Sequence, residues 1–293
     1  MMDRAPYHEN VTIIGVGLLG ASLGMAIRRH NLARRITGCG RNRQRLLDAR
    51  SQGAIDAVST DLSEAVSSSD LIILCTPVQH IIENLPTVMR AAEPGALVTD
   101  VGSTKGAILR VAASIEERGV TFIGSHPMAG SDRTGHEHGT PDLYEGATTF
   151  ITVEETTPKD KVAEVSQLWR SVGARAVLIH PERHDRLVAA ISHLPHLLAV
   201  ATVRMVSEVH DDENFLRWVI GGGFRDTTRI AKGSSEMWRD ICATNPQAIV
   251  EAIDALLEKM QEIRHEIAST DMRELTAMLE EARRYREGLE DEA

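Results

Sequence analysis

In this chain of 293 residues, the segment Gly124-Ser-His-Pro-Met-Ala-Gly-Ser-Asp-Arg-Thr-Gly135 holds the side chain best suited to moving a proton. His126 follows a short apolar run, 120–123, that reads as a strand bounded by turn residues. A histidine past the carboxyl end of a strand in an α/β sheet faces the crevice where such folds bind ligands. An imidazole there exchanges protons near neutral pH. Taken alone, His126 reads either as a catalytic base or as a hydrogen-bonded loop residue. Farther along, Ser192-His193-Leu194-Pro195-His196 sets two histidines three apart on one helix face, with Pro195 expected to kink the helix. That pair reads equally well as ligand-facing or core-facing. Arg229 follows Gly221-Gly222-Gly223 and Arg225-Asp226-Thr227-Thr228, where a guanidinium can approach a ligand and clamp a carboxylate. Trp238 lies close behind it. His136 and His138 read as part of a mobile polar loop, because no further ligand set has useful spacing, and no metal is expected.

The elements that must position these groups are legible. Val11-Thr12-Ile13-Ile14 is a buried-strand signal, Gly15-Val16-Gly17-Leu18-Leu19-Gly20 follows, and 21–30 continues as a helix. The Gly-x-Gly-x-x-Gly spacing has meaning in this strand-before, helix-after setting. Gly15 allows the tight turn, Gly17 lets backbone approach a pyrophosphate, and Gly20 lets helix and strand pack. The amides of Leu18 and Leu19 would face the phosphates at the helix N-terminus. A second strand, 35–39, ends in Gly40-Arg41-Asn42-Arg43 with no acidic residue for a ribose hydroxyl, so Arg41 favours NADP over NAD. Strand and helix signals keep alternating, which predicts a parallel doubly wound sheet. Thr76-Pro77, Ser103 and His126 then fall past strand ends on one rim, and Thr76, Pro77 and Ser103 join the expected cofactor set. The runs 148–153 and 174–179, around a helix at 159–172, are expected to extend this sheet. From Glu182 onward only helical patterns remain. The expected division is 1–181, a Rossmann-like dinucleotide-binding domain, and 182–293, an all-α domain.

Composition narrows the classes. Charged residues are 25% and apolar ones 42%, as in an ordinary globular chain. The net charge is −10 without a Lys/Arg block, which argues against nucleic acid as a partner. Cys39, Cys75 and Cys242 show no paired spacing and fit a reducing compartment. With no signal-like N-terminus and no apolar run expected to span a bilayer, the reading is a cytoplasmic protein without membrane contact.

Five motifs in order resemble the prephenate/arogenate dehydrogenases of tyrosine biosynthesis. They are the glycine motif, Asp100-Val101-Gly102-Ser103-Thr104-Lys105, His126-Pro127-Met128-Ala129-Gly130, Ser192 to His196, and Gly222-Gly223-Phe224-Arg225-Asp226 with Arg229 and Trp238. The resemblance covers roughly 11–245. It implies oxidative decarboxylation of prephenate to 4-hydroxyphenylpyruvate with hydride passed to NAD(P). His126 then matches the catalytic histidine and Ser103 the serine that hydrogen-bonds it and the substrate. His193 and His196 match substrate-pocket histidines, and Arg229 the carboxylate-binding arginine, with Lys105, Arg225 or Arg239 as further candidate cations. Asp226 and Trp238 match residues shaping the pocket entrance. Asp132 stands where relatives often carry Glu. The family's helical half makes a homodimer. The resemblance also gives the expectation that no chorismate mutase segment precedes Val11 and no regulatory domain follows the last helices, so any tyrosine feedback acts at the active site. Arogenate in place of prephenate, or a broad cyclohexadienyl specificity, is the alternative. More distant are another Rossmann/helical hydroxyacid dehydrogenase and a dinucleotide-binding protein without catalysis.

Overall fold

A computed structural model describes residues 7–115, 118–130, 133–208 and 213–289. Its first sheet holds six parallel strands: β1 (His8–Ile14), β2 (Ala33–Cys39), β3 (Ala57–Ser59), β4 (Leu71–Leu74), β5 (Leu97–Asp100) and β6 (Thr121–Ile123). Their spatial order is β3-β2-β1-β4-β5-β6. The order reverses between β1 and β4, and such a switch point opens a crevice at the strand carboxyl ends. β4 (Leu-Ile-Ile-Leu) is buried throughout, as a central parallel strand covered on both faces must be.

The side-chain alternation of the strands splits the core into two layers. Val11, Ile13, Leu71, Ile73 and Leu97 pack on one face with Leu23 and Ile27 of α1 (Leu18–Arg29). Val165 and Trp169 of α6 (Lys159–Ser171) complete that layer. Ile14, Ile72, Leu74 and Val98 pack on the other face with Val78, Ile81 and Leu85 of α4 (Val78–Ala91) and Ile108 of α5 (Gly106–Ala113). The short helices α2 (Arg43–Ser51) and α3 (Leu62–Val66) complete the crossovers.

The sheet does not continue past β6. The chain turns at Gly124, where an added Cβ would come within 2.6 Å of Thr152 Oγ1. It then forms a separate three-stranded sheet, β7 (Ser125–Pro127) antiparallel to β8 (Thr148–Thr152), with β9 (Arg175–Ile179) parallel to β8. The expected extension of the first sheet by 148–153 and 174–179 is therefore corrected. The backbone of Ser125 bonds Asp100 rather than a β6-type neighbour, and that diverts the strand. His126 thus lies within a strand of the second sheet, not in a loop.

Helices follow: α7 (Pro181–Val188), a π-helical turn at Ala189–His193, and α8 (Leu194–Ser207). The expected disturbance at Pro195 takes the form of this wider turn, placed before the proline, which sits in the first turn of α8. The run Pro181–Ser207 is long and apolar enough to cross a membrane by length and composition, which corrects the expectation that no such run exists. It also carries His184, Asp185, His193 and His196, all buried against protein. Next come α9 (Glu213–Val219), α10 (Gly222–Thr228), a 3₁₀ turn at Arg229–Lys232 and α11 (Ser235–Thr244). The chain divides into two compact units, Met1–Pro246 and Gln247–Ala293. The second holds most of α12 (Pro246–Ala268) and all of α13 (Arg273–Gly288), with Leu257, Met260, Ile267, Leu279 and Tyr285 exposed.

Candidate active site

The glycine motif after β1 builds a cradle. Gly15 has φ +90°, and a Cβ there would meet Thr76 Cγ2 at 2.6 Å. A Cβ on Gly20 would lie 2.3 Å from the Gly15 carbonyl oxygen, so helix and strand can only pack this closely without one. At Gly17 a Cβ would meet nothing within 4 Å, so the space beside it is open to a ligand. Gly17 caps α1 without a side-chain hydrogen bond, and the first-turn amides of Leu18 and Leu19 have no helical acceptor. Across the switch point, Thr76 Oγ1 is buried with no hydrogen-bond partner among the described residues, and Pro77 caps α4. Arg41 follows β2, exposed, beside the Asn42 cap of α2. Open backbone, free helix-end amides and an orphaned hydroxyl together fit a dinucleotide phosphate group. His136–His138 forms a 3₁₀ turn seated on α1, where Thr140 N–H donates to Ser22 Oγ at 3.0 Å. Among the described residues no group of His, Cys, Asp and Glu is placed to hold a metal ion.

His126 is 8% exposed and sits in a buried polar chain. Its Nδ1 lies 2.9 Å from His184 Nε2, and His184 Nδ1 lies 2.8 Å from Asp185 Oδ1. Asp185 also accepts the backbone N–H groups of Lys105 and Gly106, each at 2.8 Å. Burial pushes the Asp185 carboxyl up, but the bonds from His184, Lys105 and Gly106 outweigh it and hold it below its usual range. Burial, then the neighbouring His184, Lys105 and His193, lower His126 well below an ordinary imidazole, so it is neutral near pH 7. Beneath this chain Lys105 is wholly buried. Its Nζ pairs with Asp100 and donates to the Ser125 carbonyl at 2.8 Å. Ser125 Oγ in turn accepts from Trp169 Nε1 at 3.0 Å. Lys105 is therefore a structural clasp, which corrects its reading as a substrate-binding cation.

The helical side adds a second wall. His193, at the end of the π turn, is 1% exposed, and its Nδ1 has no partner among the described residues. Burial drops its pKa to about 4. Its ring meets Trp238 edge-on at 6.0 Å between centroids, while His196 stacks on the same Trp238 at 3.5 Å. The His196 ring also bonds the Ile230 backbone, next to Arg229. Gly233 makes the stack possible, since a Cβ there would lie 2.6 Å from Trp238 Nε1. Arg217, Arg225, Asp226, Arg229 and Lys232 line an open depression of about 520 Å³ with Ile220, Phe224 and Thr228. Arg239, largely exposed, pairs with Asp240 at 2.7 Å.

The predicted residues thus fall in three neighbouring groups: the cradle, the His126 chain, and the His193–Trp238–His196 wall leading to Arg229. Ser103 is half-buried in the loop after β5, and the expected Ser103–His126 hydrogen bond is absent from the contacts of the described residues; His184 takes the His126 Nδ1 position instead. Asp132 lies outside the described residues. The sequence reading missed His184 and Asp185. Their only local signal is a His-Asp pair one turn after Pro181, and nothing in that spacing names His126 as the partner.

Comparison with known proteins agrees with this architecture. The family description "Prephenate dehydrogenase, nucleotide-binding domain" matches residues 23–178, and "Prephenate dehydrogenase, dimerization domain" matches 180–281. A prephenate dehydrogenase of Bacillus subtilis (strain 168) is 32% identical, with 96% of this chain and 76% of that protein covered. A cyclohexadienyl dehydrogenase of Zymomonas mobilis is 28% identical, covering 90% of each chain. The crystal structure of prephenate dehydrogenase from A. aeolicus, solved with hydroxyphenyl propionate and NAD+, superposes with TM-score 0.89 at 31% identity, covering 96% of this chain and 98% of that one.

Proposed function

Because this chain belongs to the prephenate dehydrogenase family, we propose that it oxidatively decarboxylates prephenate to 4-hydroxyphenylpyruvate in tyrosine biosynthesis. The observation that carries the reading is the meeting of a buried, neutral His126 with the His193–Trp238–His196 wall beside the glycine cradle. Bound NAD(P) supplies the hydride acceptor. Gly15, Gly17, Leu18, Leu19, Gly20, Thr76, Pro77 and Ser103 would hold it. Arg41, the exposed cation past β2, favours a 2′-phosphate and hence NADP over NAD.

His126 accepts the ring hydroxyl proton as the hydride leaves the carbon bearing it. The resulting ring ketone draws the electron pair of the breaking carboxylate bond, CO₂ departs, and the ring becomes aromatic. His126 then returns the proton to the phenolate oxygen, so no net proton is released. Neutrality at the start of the cycle is what lets it serve as a base. Ser103 hydrogen-bonds the reacting hydroxyl. His193 offers its unpartnered Nδ1 to the substrate, His196 and Trp238 form the pocket wall, and Arg229 binds a carboxylate. Asp226 and Trp238 shape the entrance. We assign 1–181 to cofactor binding and 182–293 to substrate binding and homodimer formation, in a cytoplasmic enzyme whose partners are small anions rather than nucleic acid or membrane. Arogenate, or a broad cyclohexadienyl specificity, is the second reading; the Zymomonas relative's name favours the latter.

The test is nicotinamide reduction followed by absorbance, with prephenate or arogenate and NAD or NADP. Reduction with prephenate and a preference for NADP is expected. Reduction with arogenate alone changes the substrate, a preference for NAD removes the role of Arg41, and no reduction in any pairing refutes the function.

A further inference from the structure

We propose that Asp185 and His184 are positioning residues that fix His126 in the one tautomer able to accept the substrate's proton. The inference rests on the reading of His126 as the base, and it follows from counting donors along the chain. The Asp185 carboxylate can only accept. It already takes the Lys105 and Gly106 backbone N–H groups at 2.8 Å each, and the third contact, His184 Nδ1 at 2.8 Å, must therefore carry a proton. Burial keeps His184 neutral against the pull of Asp185, so its Nε2 holds a lone pair. His126 Nδ1, 2.9 Å away, must then be the donor. The direction of the whole chain is set by the carboxylate, and the His126 lone pair is left on Nε2, the nitrogen turned away from His184. In the opposite tautomer two lone pairs would face each other across 2.9 Å.

The same arrangement serves the proton once it arrives. A proton taken at Nε2 makes His126 a cation whose Nδ1–H still donates to His184, with the Asp185 charge one ring farther on. Nothing moves along the chain; the proton stays on His126 until it returns to the product oxygen. The other charged or titratable groups facing these rings are Lys105 below, paired with Asp100, and His193 from the π turn. Lys105 opposes a second positive charge, so His184 is held as an acceptor rather than a competing base. Phe150 closes one side, with its ring centroid 5.4 Å from His184 and 6.5 Å from His126.

The experiment compares His184→Leu, which removes the acceptor at similar size, with His184→Gln, whose side-chain oxygen can replace Nε2. Imidazole ¹⁵N shifts of the unliganded protein, with the His126 signal identified by its loss in His126→Asn, read the tautomer without any substrate. Wild type and His184→Gln are expected to show His126 protonated at Nδ1, and His184→Leu to show the Nε2–H form. With prephenate, His184→Leu should lose on the order of 100-fold in kcat with KM changed less than about threefold, and His184→Gln should recover most of it. A wild-type His126 protonated at Nε2 would overturn the inference, and so would equal kcat losses in the two variants. A wild-type Nδ1–H signal in a protein that does not turn over prephenate would leave the tautomer device standing and sink the assigned reaction instead. If His184→Leu does not fold, the wild-type and His184→Gln spectra decide.

Discussion

Acidification from neutral pH should destabilise this protein through His193. Folded His193 has a pKa of about 4 against 6.5 for a free imidazole, because burial penalises its charged form. Between these values the unfolded chain binds a proton that the folded chain refuses, so stability falls as pH falls. At about 1.4 kcal/mol per pKa unit, moving from about pH 7.5 to about pH 5 costs roughly 2 kcal/mol from this residue alone, rising to roughly 3 kcal/mol by about pH 4. His126, His184 and His196 are lowered too and add to the slope, so the measurement must isolate His193. Urea unfolding of wild type and His193→Gln at both ends of the upper window does so. The difference in unfolding free energy between the two proteins should shift by about 2 kcal/mol, a factor of about 30 in the equilibrium constant. Parallel losses in the two proteins would show that His193 is not held neutral, and the unpartnered Nδ1 offered to the substrate would lose its physical basis.

Further outcomes follow from the geometry. Gly20→Ala places a Cβ 2.3 Å from the Gly15 carbonyl; KM for the dinucleotide should rise on the order of tenfold, with roughly 1–3 kcal/mol of stability lost, and an unchanged KM would refute the cradle. Arg229→Ala should raise KM for prephenate by about 10- to 100-fold with a smaller change in kcat, as expected for a lost charged hydrogen bond; a kcat-only effect would reassign it. His126→Asn should lower kcat by at least about 100-fold with KM little changed. Because neutral His126 is the active form and its pKa lies well below 6.5, the acid limb of kcat/KM assigned to it should fall below pH 6.5, and a limb above that value would contradict its burial.

The sheet was legible because its signals are local. Strand, glycine turn and helix follow one another within twenty residues at 11–30, and Gly20 is fixed by the Gly15 carbonyl that lies close in sequence. Thr76 and Ser103 could be placed on the rim from strand ends alone. The second sheet was not legible, because what separates β7 from β6 is a bond from Ser125 N–H to Asp100 across 25 positions. The His126 partner was hidden for the same reason, since His184 is 58 residues away and arrives on a different element. Lys105 misled in the opposite direction. A lysine in a crevice loop reads as a ligand cation, but here Asp100 and the Ser125 carbonyl draw it fully inside. Whether a charge points outward or into the protein is settled by long-range partners that no local spacing encodes.

That correction sharpens the electrostatics of binding a doubly charged substrate to a chain of net charge −10. With Lys105 tied to Asp100, attraction falls to the depression where Arg217, Arg225, Arg229 and Lys232 gather with one acid, Asp226. Screening confines exposed charges to about 10 Å at ordinary salt. The acidic remainder of the surface therefore acts on the rate of approach, while affinity is set by the few cations within that radius of the pocket. A neutral His126 belongs to the same logic. A charged imidazole would attract the substrate more strongly and could not take its proton, and burial beside Lys105 resolves that conflict in favour of the chemistry.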